Sequence, residues 1–192
     1  MAFEIELKAR LDNFEPVKER LSALGNFCRS YEKSDAYWLG ENSPDGIRVR
    51  LDRGRDQNDA AEESVLITYK KKEISGGMEV NEEKEFTVSD AGLFGEMLER
   101  LGLHIAIKKE KKGWAWLIPP DATGREPILA ELSMVKGLGW FLELEIMAPD
   151  NNPQVVEENR KRLFSLLEKL QIPVDKIEAR PYTALLSALA QS

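Results

Sequence analysis

Charged side chains two residues apart recur along several segments of this sequence. In the first of them, Glu4, Glu6 and Lys8 alternate with Ile5 and Leu7. Neighbouring side chains of a β-strand point to opposite faces, so residues two apart share one face. The same spacing recurs in Arg48 and Arg50, Thr68 and Lys70, Glu83 and Glu85, Lys109 and Lys111, and Glu143 and Glu145. We therefore expect several strands that each present a polar, mostly charged face.

Some of these faces carry only positive charges and others only negative charges, which suggests that they bind a ligand. Arg48 and Arg50 form a cationic pair, as do Lys109 and Lys111, whereas the glutamate pairs present only carboxylates. A surface that serves solubility alone usually mixes both signs. Clustered carboxylates bind Mg²⁺ or Mn²⁺ through oxygen ligands, and clustered Lys and Arg bind phosphate oxygens. The pattern predicts a metal-dependent site for a triphosphate. The alternative is that each face is an ordinary solvent-exposed one.

The strands that carry these faces are expected to pair in sequential hairpins. The predicted strands cover Phe3–Leu11, Cys28–Leu39, Ile47–Leu51, Val65–Lys72, Met78–Val88, Leu103–Lys111, Trp114–Ile118, Ile128–Val135 and Trp140–Met147. Helices are predicted after the first strand, after the fifth and at the C-terminus. About eight strands in hairpins favour an antiparallel sheet that can close. We predict an α+β fold, an eight-stranded antiparallel β-barrel or tunnel with flanking helices, as one domain over residues 1–192.

Local signals predict how these elements begin and end. Asp12 and Asn13 are expected to cap the first helix, and Ser89 and Asp90 the second. The second helix carries an apolar stripe of Leu93, Met97, Leu98 and Leu101. The polar stretch 53–64 is expected to be a mobile hairpin tip, and Gly113 the turn of a hairpin.

Composition excludes several classes of protein. The 192 residues include 27 basic and 34 acidic ones, so the net charge of −7 argues against nucleic-acid binding. Cys28 is the single cysteine, which excludes an internal disulfide, and no run approaches the ~18 apolar residues of a membrane span. His104 is expected to be structural or exposed. We expect a cytoplasmic protein without nucleic-acid or membrane partners.

In order along the chain, several segments resemble the motifs of the CYTH superfamily, also called triphosphate tunnel metalloenzymes. The N-terminal Glu4–Lys8 is similar to the family's E-x-E-x-K signature, and Val135–Glu145 to its V-x-G-L-G-x-F-x-E-x-E pattern. Further matching segments are Asp35–Trp38, Ile47–Arg50, Thr68–Lys70 and Tyr182–Leu186. The resemblance covers nearly the whole chain.

The resemblance implies a tunnel that binds a triphosphate together with Mg²⁺ or Mn²⁺. The implied metal ligands are Glu4, Glu6, Glu143 and Glu145, and the implied catalytic residues are Glu4, Glu6 and Lys8. Phosphate would be bound by Lys8, Arg48, Arg50, Lys70, Lys109 and Lys111. Supporting roles would fall to Glu83, Glu85, Glu131 and Tyr182.

Three positions depart from the family's pattern. Asn81 stands where a cation is expected, and Lys111 replaces an arginine. Ser133 stands where a metal-side carboxylate is expected, and Glu131, two residues earlier on the same face, could compensate. These departures bear on the number of metal ions and on turnover.

Within the family, the chain most resembles the class IV adenylyl cyclase branch. That resemblance implies conversion of ATP to cyclic AMP and pyrophosphate. The alternatives are an inorganic triphosphatase or thiamine triphosphatase, and a triphosphate- or nucleotide-binding module without turnover. The expected ligands are ATP, tripolyphosphate or another organic triphosphate, and the long C-terminal helix could serve in a homodimer.

Overall fold

The structure, a computed structural model, describes residues 3–41, 46–75, 78–120, 125–150 and 152–190, without the side chains of residues 70–83. The strands are β1 (Phe3–Leu11), β2 (Asn26–Leu39), β3 (Ile47–Asp56), β4 (Ala61–Ser75), β5 (Met78–Val88), β6 (His104–Ile118), β7 (Ile128–Val135) and β8 (Gly139–Ala148). The helices are α1 (Glu15–Leu24), α2 (Ala91–Arg100), α3 (Pro153–Lys169) and α4 (Tyr182–Ala190). No helix in these described ranges is long and apolar enough to cross a membrane.

The eight strands form one closed antiparallel sheet in the order β1-β5-β4-β3-β2-β6-β7-β8. Closure comes from β1, which pairs with β5 on one side and with β8 on the other. The predicted α+β fold with an eight-stranded tunnel is confirmed. Because the sheet closes, alternate side chains of every strand point either into the tunnel or out toward the helices.

The outward faces of the strands form the hydrophobic core beneath the helices. Ile5 and Leu7 of β1 and Leu132 of β7 are fully buried in one cluster with Leu21 of α1 and Leu163 of α3. A second, smaller cluster joins α2 to the outer faces of β2, β3 and β4. The alternation in β1 therefore separates core side chains from tunnel side chains, as the sequence predicted.

Helix α4 packs at the end of the tunnel where β7 turns into β8. Tyr182 and Leu185 are buried there against Val135 and Phe141. The segment before α4 is anchored to β1, because the backbone N–H of Glu178 donates to the carbonyl of Lys8 at 2.8 Å. This anchor fixes the position of Tyr182 relative to the tunnel.

Gly113 is not a hairpin turn, so that prediction is wrong. Strand β6 continues through it, with Gly113 opposite Tyr31 of β2 and Ser133 of β7. A Cβ atom at Gly113 would lie only 2.0 Å from the carbonyl oxygen of Leu132. Glycine is required here by the close approach of a neighbouring strand, a role that a sequence alone does not distinguish from a turn.

Residues 53–64 belong to a hairpin, as predicted, but the tip of this hairpin is shorter than predicted, and its mobility remains a prediction. Strand β3 extends to Asp56 and β4 begins at Ala61, so the connection covers only residues 57–60. Within it, the Asp56 carboxylate accepts hydrogen bonds from the backbone N–H groups of Asn58 and Ala60. Most residues of the two strands are exposed here, so the alternation of apolar and polar residues that marks a strand is absent.

The predicted helix ends are partly correct. Asp90 caps α2 by accepting from the backbone N–H of Leu93 at 2.9 Å. The first helix begins later than predicted, because its N-cap residue is Phe14 rather than Asp12 or Asn13. Of the stripe predicted on α2, only Leu98 is buried; the other three members, Leu93, Met97 and Leu101, are exposed.

Candidate active site in the tunnel

The closed sheet encloses a cavity of about 920 Å³. The predicted site residues that line it are Glu4, Glu6, Lys8, Arg48, Arg50, Glu85, Lys109, Lys111, Glu131, Glu143, Glu145 and Tyr182. Residues that are up to 178 positions apart in the sequence therefore meet in one space. Their individual roles remain predictions.

Two predicted site residues lie where the structure describes only the backbone. Lys70 of β4 and Glu83 of β5 are directly opposite each other in the register of the two strands. Their side chains lie outside the described part of the protein, so their predicted roles in phosphate binding and in support of the metal site remain predictions.

Most of the carboxylates and most of the cations come from different strands. The cations of the described lining that come from β2, β3 and β6 are Lys33, Arg48, Arg50, Lys109 and Lys111. The carboxylates that come from β1, β7 and β8 are Glu4, Glu6, Glu131, Glu143 and Glu145. Glu6 is opposite Glu145, and Glu131 is opposite Glu143. Like charges directly opposite each other repel unless cations lie close by.

One cluster of cations neutralises the Glu131–Glu143 pair. The Lys111 ammonium donates to Glu131 Oε2 at 2.8 Å and to Glu143 Oε2 at 2.6 Å. Lys33 donates to the other oxygen of Glu131. Burial alone would raise the pKa of Glu143, but the Lys111 ammonium more than offsets this and lowers that pKa to about 2. Both carboxylates are therefore ionised at neutral pH.

In a second cluster, one buried carboxylate, that of Asp35, binds both Arg50 and Lys109, which are predicted to bind phosphate. Asp35 of β2 accepts from Arg50 Nε at 2.7 Å and Nη2 at 2.9 Å, and its Oδ2 lies 3.0 Å from Lys109 Nζ. Burial would raise the pKa of Asp35, but the charges of Lys109 and Arg50 hold it well below its ordinary value. Asp35 therefore fixes the guanidinium of Arg50 and the ammonium of Lys109 on the tunnel wall.

Arg48 is oriented by a third set of contacts. Its Nη2 donates to Thr68 Oγ1 at 2.8 Å and to Glu85 Oε1 at 3.1 Å, and the Thr68 hydroxyl donates to the same Glu85 oxygen at 2.6 Å. Thr68 is buried, whereas Glu85 is partly exposed. The predicted supporting role of Glu85 is consistent with this position beside Arg48.

Several tunnel residues did not enter the predicted site. Lys33 and Asp35 of β2 and Asp52 of β3 line or contact the cavity, and Asp52 accepts from Arg29 at 2.5 Å. Asp35 and Lys33 obey the same two-residue spacing, and Asp52 extends the Arg48–Arg50 series. Both strands mix charges of the two signs, so the spacing alone does not mark these three residues as part of a face of one sign.

Tyr182 and Ser133 have different positions relative to the cavity. The ammonium groups of Lys8 and Lys109 lie 4.7 and 4.9 Å from the centroid of the Tyr182 ring. Burial raises the pKa of Tyr182 well above its ordinary value, so the phenol stays neutral. Ser133 is fully buried and is not part of the described lining. It therefore does not take the place of a carboxylate, and Glu131 is engaged by two lysines.

The donor chemistry of the tunnel fits a hard divalent cation. Carboxylate oxygens, such as those of Glu4, Glu6 and Glu145, are the ligands that Mg²⁺ and Mn²⁺ prefer. Within the described ranges, no three Asp, Glu, His or Cys side chains are already close enough together to bind an ion. The ligands would therefore come together as the ion binds.

One end of the cavity is lined by apolar residues. Leu39 at the end of β2, Gly46 before β3, and Ala106 and Ile107 near the start of β6 share this end, which is also the end where α4 packs. Tyr37 and Ile107 are opposite each other in the register of β2 and β6. The cavity thus combines a long charged section with a short apolar one.

The remaining residues considered for chemistry have structural positions. Trp116 is buried in the main core, and Trp114 stacks with Phe14 and Trp140. His104 is exposed at the first position of β6. Packing therefore accounts for Trp114 and Trp116.

A closed antiparallel tunnel lined by cations and carboxylates is the architecture that the resemblance to the triphosphate tunnel metalloenzymes implies. The CYTH domain family matches residues 2–182, and the chain belongs to this family. Its members process triphosphates and depend on a divalent metal ion. The predicted membership is confirmed.

The chain is similar over nearly its full length to several known proteins. It is 28% identical over 195 residues to "Putative adenylate cyclase MJ0240" of Methanocaldococcus jannaschii, covering 95% of this chain and 97% of the relative. The PH1012 protein of Pyrococcus horikoshii OT3 is 27% identical with a TM-score of 0.74, over 95% and 98% of the two chains. A Hippeastrum protein named "Putative adenylyl cyclase HpAC1", described as having a dominant triphosphatase activity, shares the fold at 15% identity with a TM-score of 0.58, over 94% and 91%.

Proposed function

We propose that this protein is a metal-dependent adenylyl cyclase that converts ATP to cyclic AMP and pyrophosphate. The observation that carries the proposal is the composition of the cavity, a charged section followed by an apolar end at Leu39, Ala106 and Ile107. An inorganic polyphosphate has no apolar part to occupy such an end, whereas a nucleoside triphosphate has one. The name of the Methanocaldococcus jannaschii relative supports the same reaction.

In this proposal the cationic wall binds the triphosphate. Arg50 and Lys109 are held in place by Asp35, and Arg48 by Thr68 and Glu85, so these groups need little ordering when the ligand binds. Lys8 lies 4.7 Å from the centroid of the Tyr182 ring, where it would contact a phosphate oxygen. Arginine contacts phosphate as a planar fork and lysine as a point charge.

The metal ion would be held by the carboxylate wall. Glu4 and Glu6 of β1 and Glu145 of β8 line the cavity and supply oxygen donors. Glu143, the fourth residue of the predicted ligand set, already accepts from Lys111. A bound divalent ion would neutralise negative charge on the phosphate oxygens and favour departure of the leaving group.

Cyclisation requires the chain's own residues to position ATP rather than to react with it. The ribose 3′-hydroxyl attacks the α-phosphorus and loses its proton to solvent, the bond from that phosphorus to the bridging oxygen breaks, and the electron pair leaves with pyrophosphate. Arg48, Arg50 and Lys109 stabilise the charge that develops on the leaving pyrophosphate. The apolar end would hold the nucleoside and keep water away from the α-phosphorus.

Hydrolysis of a triphosphate is the second candidate function. Among the described residues that line the cavity, the aromatic ones are Tyr37 and Tyr182, both beside charged groups. The apolar end therefore has no described ring on which an adenine would stack. A small organic triphosphate or tripolyphosphate would suit such a cavity, and a binding module without turnover would use the same cations.

Product analysis distinguishes these functions. Purified protein with Mg²⁺ or Mn²⁺ is given ATP or tripolyphosphate in parallel. Cyclic AMP with pyrophosphate supports the cyclase, whereas orthophosphate from tripolyphosphate without cyclic AMP supports the hydrolase. A folded protein that binds both ligands and forms no product is a binding module.

A double variant tests whether the activity belongs to the tunnel. Glu4→Gln with Glu6→Gln keeps the shape of both side chains and removes their charge, so metal-dependent turnover should fall at least a hundredfold. Glu110→Gln is a matched control, because Glu110 is exposed and pairs with Lys136 outside the cavity. The homodimer and the cytoplasmic location remain predictions, which light scattering and cell fractionation would test.

A further inference from the structure

Lys111 occupies a bridging position between two carboxylates of the tunnel. Its Nζ lies 2.6 Å from an oxygen of Glu143 and 2.8 Å from an oxygen of Glu131, and Lys33 engages the second oxygen of Glu131. All four side chains line the cavity, and the Lys111 side chain is only 4% exposed. The cluster contains two negative and two positive charges, so it is neutral as it stands.

A divalent ion that bridged Glu131 and Glu143 would need the place that the Lys111 ammonium occupies. The ion would bring the cluster from neutral to a net charge of +2 in a buried setting, which is unfavourable. A lysine ammonium is compact enough to sit between two carboxylates, whereas the arginine expected at this position is a planar fork. The Lys111 ammonium thus fits between Glu131 and Glu143.

Ser133 supplies an independent observation on the same side of the tunnel. It stands where a metal-side carboxylate is expected, it is fully buried, and it does not line the described cavity. Strand β7 therefore offers a metal ion only Glu131, which two lysines already engage. This side of the tunnel therefore has one carboxylate fewer than the resemblance implies, and the Lys111 ammonium bridges the two carboxylates that are present.

We propose that Lys111 acts as a built-in cation between Glu131 and Glu143, and that these two carboxylates are not metal ligands in this chain. The tunnel then binds a single divalent ion on the side of Glu4, Glu6 and Glu145. The inference rests on the proposed function only in assuming that the tunnel binds a metal. It makes Lys111 a residue that sets the number of metal ions.

Two glutamates on β8 provide the sharpest test. Glu143→Gln and Glu145→Gln each remove one carboxylate from the lining without changing its shape, and a glutamine at 143 can still accept from Lys111. Binding of Mn²⁺ is measured by electron paramagnetic resonance of the free ion, without nucleotide. Glu143→Gln should change the Kd less than twofold, whereas Glu145→Gln should weaken binding at least tenfold.

The number of bound ions is the second readout. The wild-type protein should bind one Mn²⁺ per chain, and Lys111→Met should bind two, because Glu131 and Glu143 then face the cavity without the bridging ammonium. If Lys111→Met does not fold, the inference is still tested by the number of Mn²⁺ ions per wild-type chain and by the Kd values of Glu143→Gln and Glu145→Gln. Two ions per wild-type chain would overturn the inference, as would equal effects of Glu143→Gln and Glu145→Gln, or one ion in folded Lys111→Met.

These outcomes separate the inference from the proposed function. A wild-type protein that binds one Mn²⁺ but forms no cyclic AMP would reject the cyclase and leave the role of Lys111 standing. A protein that forms cyclic AMP and binds two ions per chain would support the cyclase and overturn the inference on Lys111. A wild-type protein that binds no Mn²⁺ would overturn both the single-ion inference and the metal requirement.

Discussion

The Asp35 carboxylate and the Arg50 guanidinium form a pair of parallel hydrogen bonds inside the tunnel, at 2.7 Å from Nε and 2.9 Å from Nη2. The Asp35 side chain is 0% exposed, and its Oδ2 also lies 3.0 Å from Lys109. One anion thus holds two cations that would otherwise repel each other. The pair organises the wall on which we expect the triphosphate to bind.

Removing the charge of Asp35 should destabilise the protein strongly. Asp35→Asn leaves Arg50 and Lys109 buried without a counter-ion, and breaking a buried pair in this way costs about 3–5 kcal/mol. Urea denaturation measures the free energy of unfolding. Glu63→Gln is the matched control, because the Arg53–Glu63 pair of β3 and β4 is exposed and should contribute little. Equal, small losses in the two variants would contradict the organising role of Asp35.

Acid should weaken the fold over a defined pH range. The pKa of Glu143 is about 2 in the folded protein against 4.5 ordinarily, so the unfolded chain binds this proton more tightly. The stabilisation is fully present above about pH 4.5 and is lost as the pH falls toward about 2. Urea denaturation from pH 6 to pH 2 measures this slope. The slope should be shallower in Glu143→Gln, and an unchanged slope would show that Glu143 does not contribute.

Replacement of Gly113 by alanine should be among the most damaging single changes. The new Cβ would lie 2.0 Å from the Leu132 carbonyl oxygen and 2.8 Å from the Ser133 Cα, both on the backbone of β7. We expect a loss of at least about 3 kcal/mol, or failure to fold, because two strands must separate. Gly92→Ala in α2 is the control, since its nearest neighbour is the Asp90 side chain at 3.3 Å. A Gly113→Ala protein as stable as Gly92→Ala would refute the close approach.

Two leucines of α2 should differ sharply in their contribution to stability. Leu98 is 4% exposed and packs in the cluster with Trp38, whereas Leu101 is 74% exposed. Leu98→Ala should cost about 2–5 kcal/mol, and Leu101→Ala should stay within about 0.5 kcal/mol of wild type. Thermal and urea unfolding of both variants measure the difference. A large loss in Leu101→Ala would show that this side chain is covered in solution.

Side-chain alternation made much of the fold predictable from the sequence. In β1, β7 and β8 a buried apolar face alternates with a polar tunnel face, and the predicted bounds Phe3–Leu11 and Ile128–Val135 agree with the structure. The alternating charges of β1 and β8 also indicated which side chains share the tunnel. Where one face packs on helices and the other faces a ligand, local sequence contains the required information.

Features that depend on neighbouring strands were not predictable in this way. Gly113 looks like a turn until β7 is known to approach it, and the 53–64 hairpin looks like a loop because neither of its faces is covered. Asp35 was not predicted as a site residue because its role depends on Arg50 and Lys109, which lie on other strands. Partners that are distant in the chain decide these positions.

The closed sheet restricts how a ligand enters the tunnel and how products leave it. Backbone hydrogen bonds join every pair of neighbouring strands, so an opening between two strands would require these bonds to break. A ligand whose phosphates reach Lys8 therefore enters along the axis of the tunnel, through one of its ends. Products leave along the same axis, so a fragment held in the middle of the tunnel has to pass the space between it and an end before it is released.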